Sequence, residues 1–206
     1  MPGVVKPVVG KRYRDALVWA AELHEDQTRK GGNIPYVGHL LGVSAIVLEH
    51  GGDEDQAIAG LLHDALEDQA HKMSPNEIRA RFGERVEGIV EACTDGDPEE
   101  QRDRNKDRWY KRKEIYIAAI PAKPPEAIIV SMADKLYNAR SILEDYRAIG
   151  GPLWSRFTTG REGTLWYYDS LIAGFEAPAR ALGLDRLWGE LSRTVAELKL
   201  LVESGG

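Results

Sequence analysis

The stretch that decides the reading of this chain is "GLLHDALED", Gly60 to Asp68. An adjacent His-Asp pair and an adjacent Glu-Asp pair close an apolar run there. Four polar or charged side chains crowd into six positions, His63 to Asp68. A helix buried in a core needs none of them. A solvent-facing helix would not carry Leu61, Leu62, Ala65 and Leu66 beside them. The conflict between packing and charge asks what else in the chain converges on this point.

Working outward, the elements on both sides are helical. Asp53 is a good N-cap for the helix that carries Ile58, Leu61 and Leu62. Before it, Val37 to His50 places Leu40, Val43, Ile46 and Val47 on one face, and Gly51-Gly52 ends it. Tyr13, Leu17, Ala20, Ala21 and His24 mark a first helix from Lys11, expected to stop near "KGGNIP". Downstream, "SPNE" at Ser74 to Glu77 has a capping residue, a proline for the first turn and a glutamate at N3. A short helix to Arg81 follows, then another over "FGERVEGIVEAC". Thr94 to Asp107 reads as a polar loop. Helices are expected over Arg108 to Ile120 and Glu126 to about Tyr146. "GGPLWSRFTTGREG" reads as a loop before two final helices, 161–182 and 185–202. No strand alternation and no repeat emerges. The expected fold is all-α, one domain over residues 11–206, about eight to ten helices, with residues 1–10 as a loose arm.

Composition narrows the function. The chain has 206 residues, 43% hydrophobic and 29% charged, with a net charge of −6. That balance speaks against a general nucleic-acid binder. No apolar stretch reaches the roughly 18 residues of a membrane span, and "MPGVVKPVVGKRYR" has no signal-peptide pattern. Cys93 is alone, so neither a disulfide framework nor a cysteine zinc cluster can form. A cytoplasmic protein is expected, with no membrane and no nucleic-acid partner; a homo-oligomer remains open.

His39, His63, Asp64 and Asp134 each lie on, or at the end of, an expected apolar helix. A buried histidine alone is more often a hydrogen-bonded core residue, and the aspartate of "MADKLYN" alone could pair with Lys135 or Arg140. Together they differ, because burying each polar group unpaired costs roughly 2–7 kcal/mol. One shared ion compensates all four. Imidazole nitrogens and carboxylate oxygens suit Mn, Fe, Zn or Mg-like ions. The histidine and aspartate of "HD" can reach one ion where a helix meets its cap.

"YVGHLLGVSAIV", "GLLHDALED" and "SMADKLYNAR" resemble, in order and spacing, the HD-domain metal-dependent phosphohydrolases. The resemblance is to the hydrolase domain of RelA/SpoT-type alarmone enzymes and to their small stand-alone relatives of the Mesh1 type. "HEDQTRKGGNIPY" fits that subgroup specifically. It covers about Trp19 to Arg140. It implies a single HD-domain helical bundle and one Mn²⁺ held by His39, His63, Asp64 and Asp134. It also implies hydrolytic release of pyrophosphate from the 3′ position of guanosine tetra- or pentaphosphate. Glu67 and Asp68 would be the catalytic pair that handles water and protons; Arg29 and Lys30 would lie near the nucleotide, and Asn138 would hold substrate. The family usually has proline after the first histidine and threonine after the Glu-Asp pair; here Leu40 and Gln69 stand.

The chemistry of the residues agrees. A divalent ion lowers the pKa of water and neutralises phosphate charge. Two adjacent carboxylates near an anion repel, which raises the pKa of one and makes it an acid. A substrate with four or five phosphates needs cations. "RDRNKDRWYKRK", Arg102 to Lys113, has seven basic residues against two acidic ones. Most of that run reads as a solvated face, with Arg112 and Lys113 as phosphate candidates. Arg161 near a helix start is another, and Tyr137 is the candidate for stacking on a base. Two other classes stay open: an HD phosphohydrolase acting on another nucleotide (an adenine alarmone, NADPH or a nucleoside monophosphate), and a non-catalytic nucleotide-binding module. Glu67-Asp68 argues against the latter, since a pure binder gains nothing from that pair.

Overall fold

The computed structural model describes residues 9–29, 32–94 and 105–204. Ten α-helices form among them, with no strand beyond one isolated bridge. They are α1 Lys11–Leu23, α2 Val37–Glu49, α3 Glu54–Leu62, α4 Ala65–Asp68, α5 Pro75–Phe82 and α6 Glu84–Cys93. Then come α7 Lys106–Ala119, α8 Pro125–Ile149, α9 Gly160–Ala181 and α10 Asp185–Ser204. Most of the arm assigned to residues 1–10, and most of the loop at Thr94 to Asp107, lie outside the described residues. No described helix is long and apolar enough to cross a membrane.

The starts of α3 and α5 are written in their caps. Asp53 Oδ1 accepts from Gln56 N at 3.0 Å, and Gln56 Oε1 accepts from Asp53 N at 2.9 Å. Ser74 and Glu77 form the same reciprocal box, with Pro75 in the first turn. Between α2 and α3 the chain reverses at Gly51, whose φ of +85° lies in the left-handed region that glycine enters without a Cβ clash.

The spine is α8, buried continuously from Ala127 to Asp134 and again at Leu136, Ala139, Ile142 and Leu143. It packs against α2, α3, α6, α9 and α10. α2 and α3 approach each other closely: a Cβ on Gly60 would lie 3.1 Å from Ser44 Cα, and Ser44 Oγ donates to Ala57 O at 2.9 Å. Leu40, Ile58, Leu61, Leu62 and Leu136 are essentially fully buried around this contact. At about 1.5–3 kcal/mol for each side chain, that burial offsets the cost of drawing polar groups into the same interior.

Three elements differ from the sequence expectation. α1 ends at Leu23 and does not run on toward "KGGNIP". His24 and Gln27 turn inward to each other, and the following chain pairs with itself. Thr28 bridges Pro35, Arg29 N donates to Ile34 O at 2.9 Å, and Tyr36 N donates to Gln27 O at 2.9 Å. Arg29 therefore sits on a hairpin-like loop and not at a helix end. Within the expected loop after α8, Gly151–Arg156 forms a 3₁₀ turn that buries Leu153. The third difference is the division of "GLLHDALED" into α3 and the one-turn α4, and it builds the site.

Candidate metal centre

His63 is the C-cap of α3 and Asp64 the N-cap of α4. The helix therefore breaks between its last apolar residues and the Glu-Asp pair, and consecutive side chains face one point. α2 brings His39 to that point from its first turn, and α8 brings Asp134. His39 Nε2 lies 3.3 Å from His63 Nε2, 3.3 Å from Asp64 Oδ2 and 3.3 Å from Asp134 Oδ1. His63 Nε2 lies 3.0 Å from Asp64 Oδ2 and 3.6 Å from Asp134 Oδ1. His39, His63 and Asp134, all buried, form a group with metal-ligand spacing, and Asp64 stands against both imidazoles.

This donor set fits a divalent cation. His63 Nδ1 faces Gly60 O at 2.9 Å, which places its proton there and leaves the Nε2 lone pair turned to the centre. That nitrogen, His39 Nε2 and two carboxylate oxygens then meet at one point. The carboxylates favour positive charge at this point, and the directions of the pKa shifts agree. Burial lowers the pKa of His63, yet Asp64 and Asp134 push it well above the usual imidazole range. Burial raises Asp64, but His63 and His39 hold it well below the usual carboxylate range. Burial likewise raises Asp134, but Lys135 and the two histidines hold it well below.

Neighbours orient the donors. Tyr36 Oη donates to Asp64 Oδ2 at 2.6 Å. Burial, then the Asp64 and Asp68 charges, push this phenol well above its usual range, so it remains a donor. Lys135 Nζ pairs with Asp134 Oδ2 at 2.7 Å, and Asn138 Nδ2, one helical turn on, donates to Asp134 Oδ1 at 2.5 Å. Asp134 thus pairs with Lys135 while still facing the centre; Arg140 pairs elsewhere, with Glu190. Sequence reasoning did not single out Tyr36 or Lys135 as site residues. The available signal was position: Tyr36 stands three residues before His39, and Lys135 directly follows Asp134.

A cavity of about 150 Å³ opens over the four donors. Glu67, Lys113, Lys135 and Asn138 are among the residues that line it. Asp68 does not line it; its Oδ2 accepts from Gln27 Nε2 at 2.6 Å. Arg29 Nη2 donates to Asn138 Oδ1 at 2.9 Å, and its guanidinium lies 5.5 Å from the Tyr137 ring centroid. Tyr137 packs edge-on against His39 at 4.9 Å, where it steadies that imidazole. Arg112 is half-buried on α7 and Arg161 is exposed in the first turn of α9, both away from the cavity lining. Lys30 lies outside the described residues.

The His39 support depends on Gly42. A Cβ there would fall 2.0 Å from Tyr137 Cε2. Gly42→Ala is expected to displace the Tyr137 ring, lower stability by about 1–3 kcal/mol as an overpacked core does, and weaken metal retention. Thermal melts with and without chelator measure both effects.

A helical bundle that gathers two histidines and two aspartates at a helix break, one pair consecutive, defines a class. The HD domain family matches residues 16–164, and the chain belongs to that family. Within it the similarity is to MESH1 and SpoT-type hydrolases. Over 131 residues it is 37% identical to the guanosine-3′,5′-bis(diphosphate) 3′-pyrophosphohydrolase MESH1 of Xenopus tropicalis, covering 62% of this chain and 68% of that protein. The human MESH1 is 34% identical over the same shares. The bifunctional (p)ppGpp synthase/hydrolase SpoT of Escherichia coli K12 is 30% identical over 64% of this chain, which spans only 18% of that longer protein. Among solved structures, a metazoan SpoT ortholog described as hydrolysing ppGpp superposes with a TM-score of 0.65 at 22% identity, covering 96% of this chain and 97% of that one. That likeness concerns the fold. The protein lmo0812 of Listeria monocytogenes superposes at 0.64 with 27% identity, over 80% of this chain and 99% of that one.

Proposed function

We propose that this protein is a divalent-metal-dependent hydrolase of (p)ppGpp-type alarmones. It would release pyrophosphate from the 3′ position and leave GDP or GTP. The observation that carries the reading is the convergence of His39, His63, Asp64 and Asp134 at a cavity that Glu67, Lys113, Lys135 and Asn138 also line. The activity named for the MESH1 relatives supports it.

The four donors would hold one Mn²⁺, which would supply Lewis acidity toward water and phosphate. The remaining work falls to side chains. Glu67, with Asp68 beside it in the same turn, handles the proton of the attacking water. Water attacks the phosphorus joined to the 3′ oxygen, that P–O bond breaks, and the 3′ oxygen takes up a proton as pyrophosphate leaves. Lys113 and Lys135 offset phosphate charge at the cavity wall. Arg29 and Asn138 bind and orient the nucleotide. Arg112, Arg161 and the half-buried Tyr137 contribute from farther out, and Lys30 is assigned to the nucleotide from the sequence alone.

The test is purified protein with Mn²⁺ and a panel of ppGpp, pppGpp, ppApp, NADPH and nucleoside monophosphates. Pyrophosphate and phosphate release are read separately. Pyrophosphate with GDP or GTP is expected; phosphate from NADPH or from a monophosphate would replace this reading with that of another HD phosphohydrolase.

Arg29 gives a narrower expectation. Its guanidinium is a planar donor fork already aimed along the Asn138 wall. Arg29→Ala is expected to raise KM, or lower kcat/KM, about 10-fold or more, the effect of a charge-assisted hydrogen bond worth roughly 1.5–3 kcal/mol. Mn²⁺ content should not change. Unaltered kinetics on every nucleotide would make Arg29 a structural partner of Asn138 alone.

A further inference from the structure

Gln27 is where the loop after α1 meets the turn that bears the carboxylates. Its backbone carbonyl accepts from Tyr36 N at 2.9 Å, and Tyr36 in turn donates to Asp64. Its side-chain Oε1 lies 2.7 Å from His24 Nδ1 and 2.8 Å from Gln69 Nε2, while its Nε2 lies 2.6 Å from Asp68 Oδ2. These contacts permit one orientation of the amide. The His24 N–H and the Gln69 NH₂ are donors, so the atom between them is the oxygen. Turned over, the amide would set its own NH₂ against both donors and its oxygen against a carboxylate.

The two buttresses are themselves fixed. His24 is 2% exposed and stacks on Tyr36 with centroids 5.3 Å apart at 19°. Burial lowers its pKa in spite of the Gln27 hydrogen bond and the Asp64 and Asp68 charges, which favours the neutral ring with a single N–H. Its Nε2 has no hydrogen-bond partner among the described residues, which assigns that N–H to Nδ1. Gln69 is 6% exposed. It stands where the resemblance leads one to expect threonine, a shorter side chain with no amide to donate across this span.

We propose that Gln27 is a positioning residue for Asp68, locked in one amide orientation by His24 and Gln69. The proposal rests on the reading of Glu67-Asp68 as the proton-handling pair. α4 is a single turn of four residues, too short for its own backbone bonds to fix its aim. The Gln27 amide supplies the fixed point. Through its carbonyl it also ties Asp68 to the loop that carries Tyr36 and Arg29.

The experiment compares wild type, Gln27→Met, Gln27→Glu, Asp68→Asn and the Gln27→Met/Asp68→Asn double variant, all loaded with Mn²⁺. Two probes are used, guanosine 3′,5′-bis(diphosphate) and bis(4-nitrophenyl) phosphate. Gln27→Met should lower kcat about 10-fold with KM and Mn²⁺ content unchanged, in line with loss of an outer-shell partner. Gln27→Glu keeps the shape but sets a carboxylate against Asp68, so its loss should be larger. The double variant should lose no more than Asp68→Asn alone, because both act through one group. Wild-type kcat in either Gln27 variant, or additive losses in the double, would overturn the proposal. Should the Gln27 variants fail to fold, Gln69→Thr removes only a buttress: a smaller kcat loss supports the proposal and an unchanged kcat overturns it. A wild type active on bis(4-nitrophenyl) phosphate and inert toward the nucleotide defeats the alarmone reading, and the Gln27 variants are then compared on bis(4-nitrophenyl) phosphate alone. A wild type inert toward both defeats both.

Discussion

Asp134→Ala is expected to abolish Mn²⁺ retention and turnover together. The Asp134 carboxylate is the hub of the site. Oδ1 lies 3.3 Å from His39 Nε2 and 3.6 Å from His63 Nε2 and also accepts from Asn138, while Oδ2 holds Lys135. Its removal does more than delete one donor. The Lys135 ammonium loses its carboxylate partner beside the remaining acceptors, and its positive charge then opposes a divalent ion. Asn138 loses its anchor, and with it the Arg29 contact loosens. The loss should exceed the ~10–100-fold that outer-shell partners of a metal site cost. Elemental analysis after dialysis against Mn²⁺, paired with pyrophosphate release, reads it directly. One Mn²⁺ per chain surviving in the variant would remove Asp134 from the donor set. Asp64→Ala should behave alike, since its Oδ2 touches both histidines.

Glu67→Gln is the second large effect: about 10²-fold or more off kcat, the usual scale for a general acid–base group, with Mn²⁺ retained. Glu67 lines the cavity without belonging to the donor cluster, so the amide should change proton transfer and leave the ion in place. Asp68→Asn should slow turnover by a similar order while its amide oxygen still accepts from Gln27. Near-wild-type rates in Glu67→Gln would return that residue to the end of a helix and nothing more.

Local chemistry in the chain was enough to place much of this. Asp53 and Ser74 announce their helices because a capping box needs only residues three apart, and the caps formed as read. The candidate metal donors were legible because His39, His63, Asp64 and Asp134 put unexplained polarity on apolar helices, and the structure brings the four side chains together. What stayed hidden depends on contacts between distant residues. No glycine or proline near Leu23 marks the end of α1; His24 and Gln27 turn inward there, with Asp68 and Gln69 from another element as partners. Glu67 and Asp68 look equivalent as a dipeptide, yet one faces the cavity and the other faces Gln27, because adjacent residues on a helical turn point about 100° apart. The packing of the Tyr137 ring against His39, admitted by the bare backbone of Gly42, was likewise not legible.

The three elements that meet at the donors, α2, the α3–α4 junction and α8, are strangers in sequence, with positions 39, 63, 64 and 134 joined only when the bundle is assembled. An ion bound by all four recognises the folded chain and has no equivalent site on the unfolded one. Its binding free energy is then added to the free energy of folding, about 2.7 kcal/mol at 100 times its dissociation constant. The melting temperature would then rise with metal concentration, and metal availability in the surroundings would set the fraction of chains that stay folded.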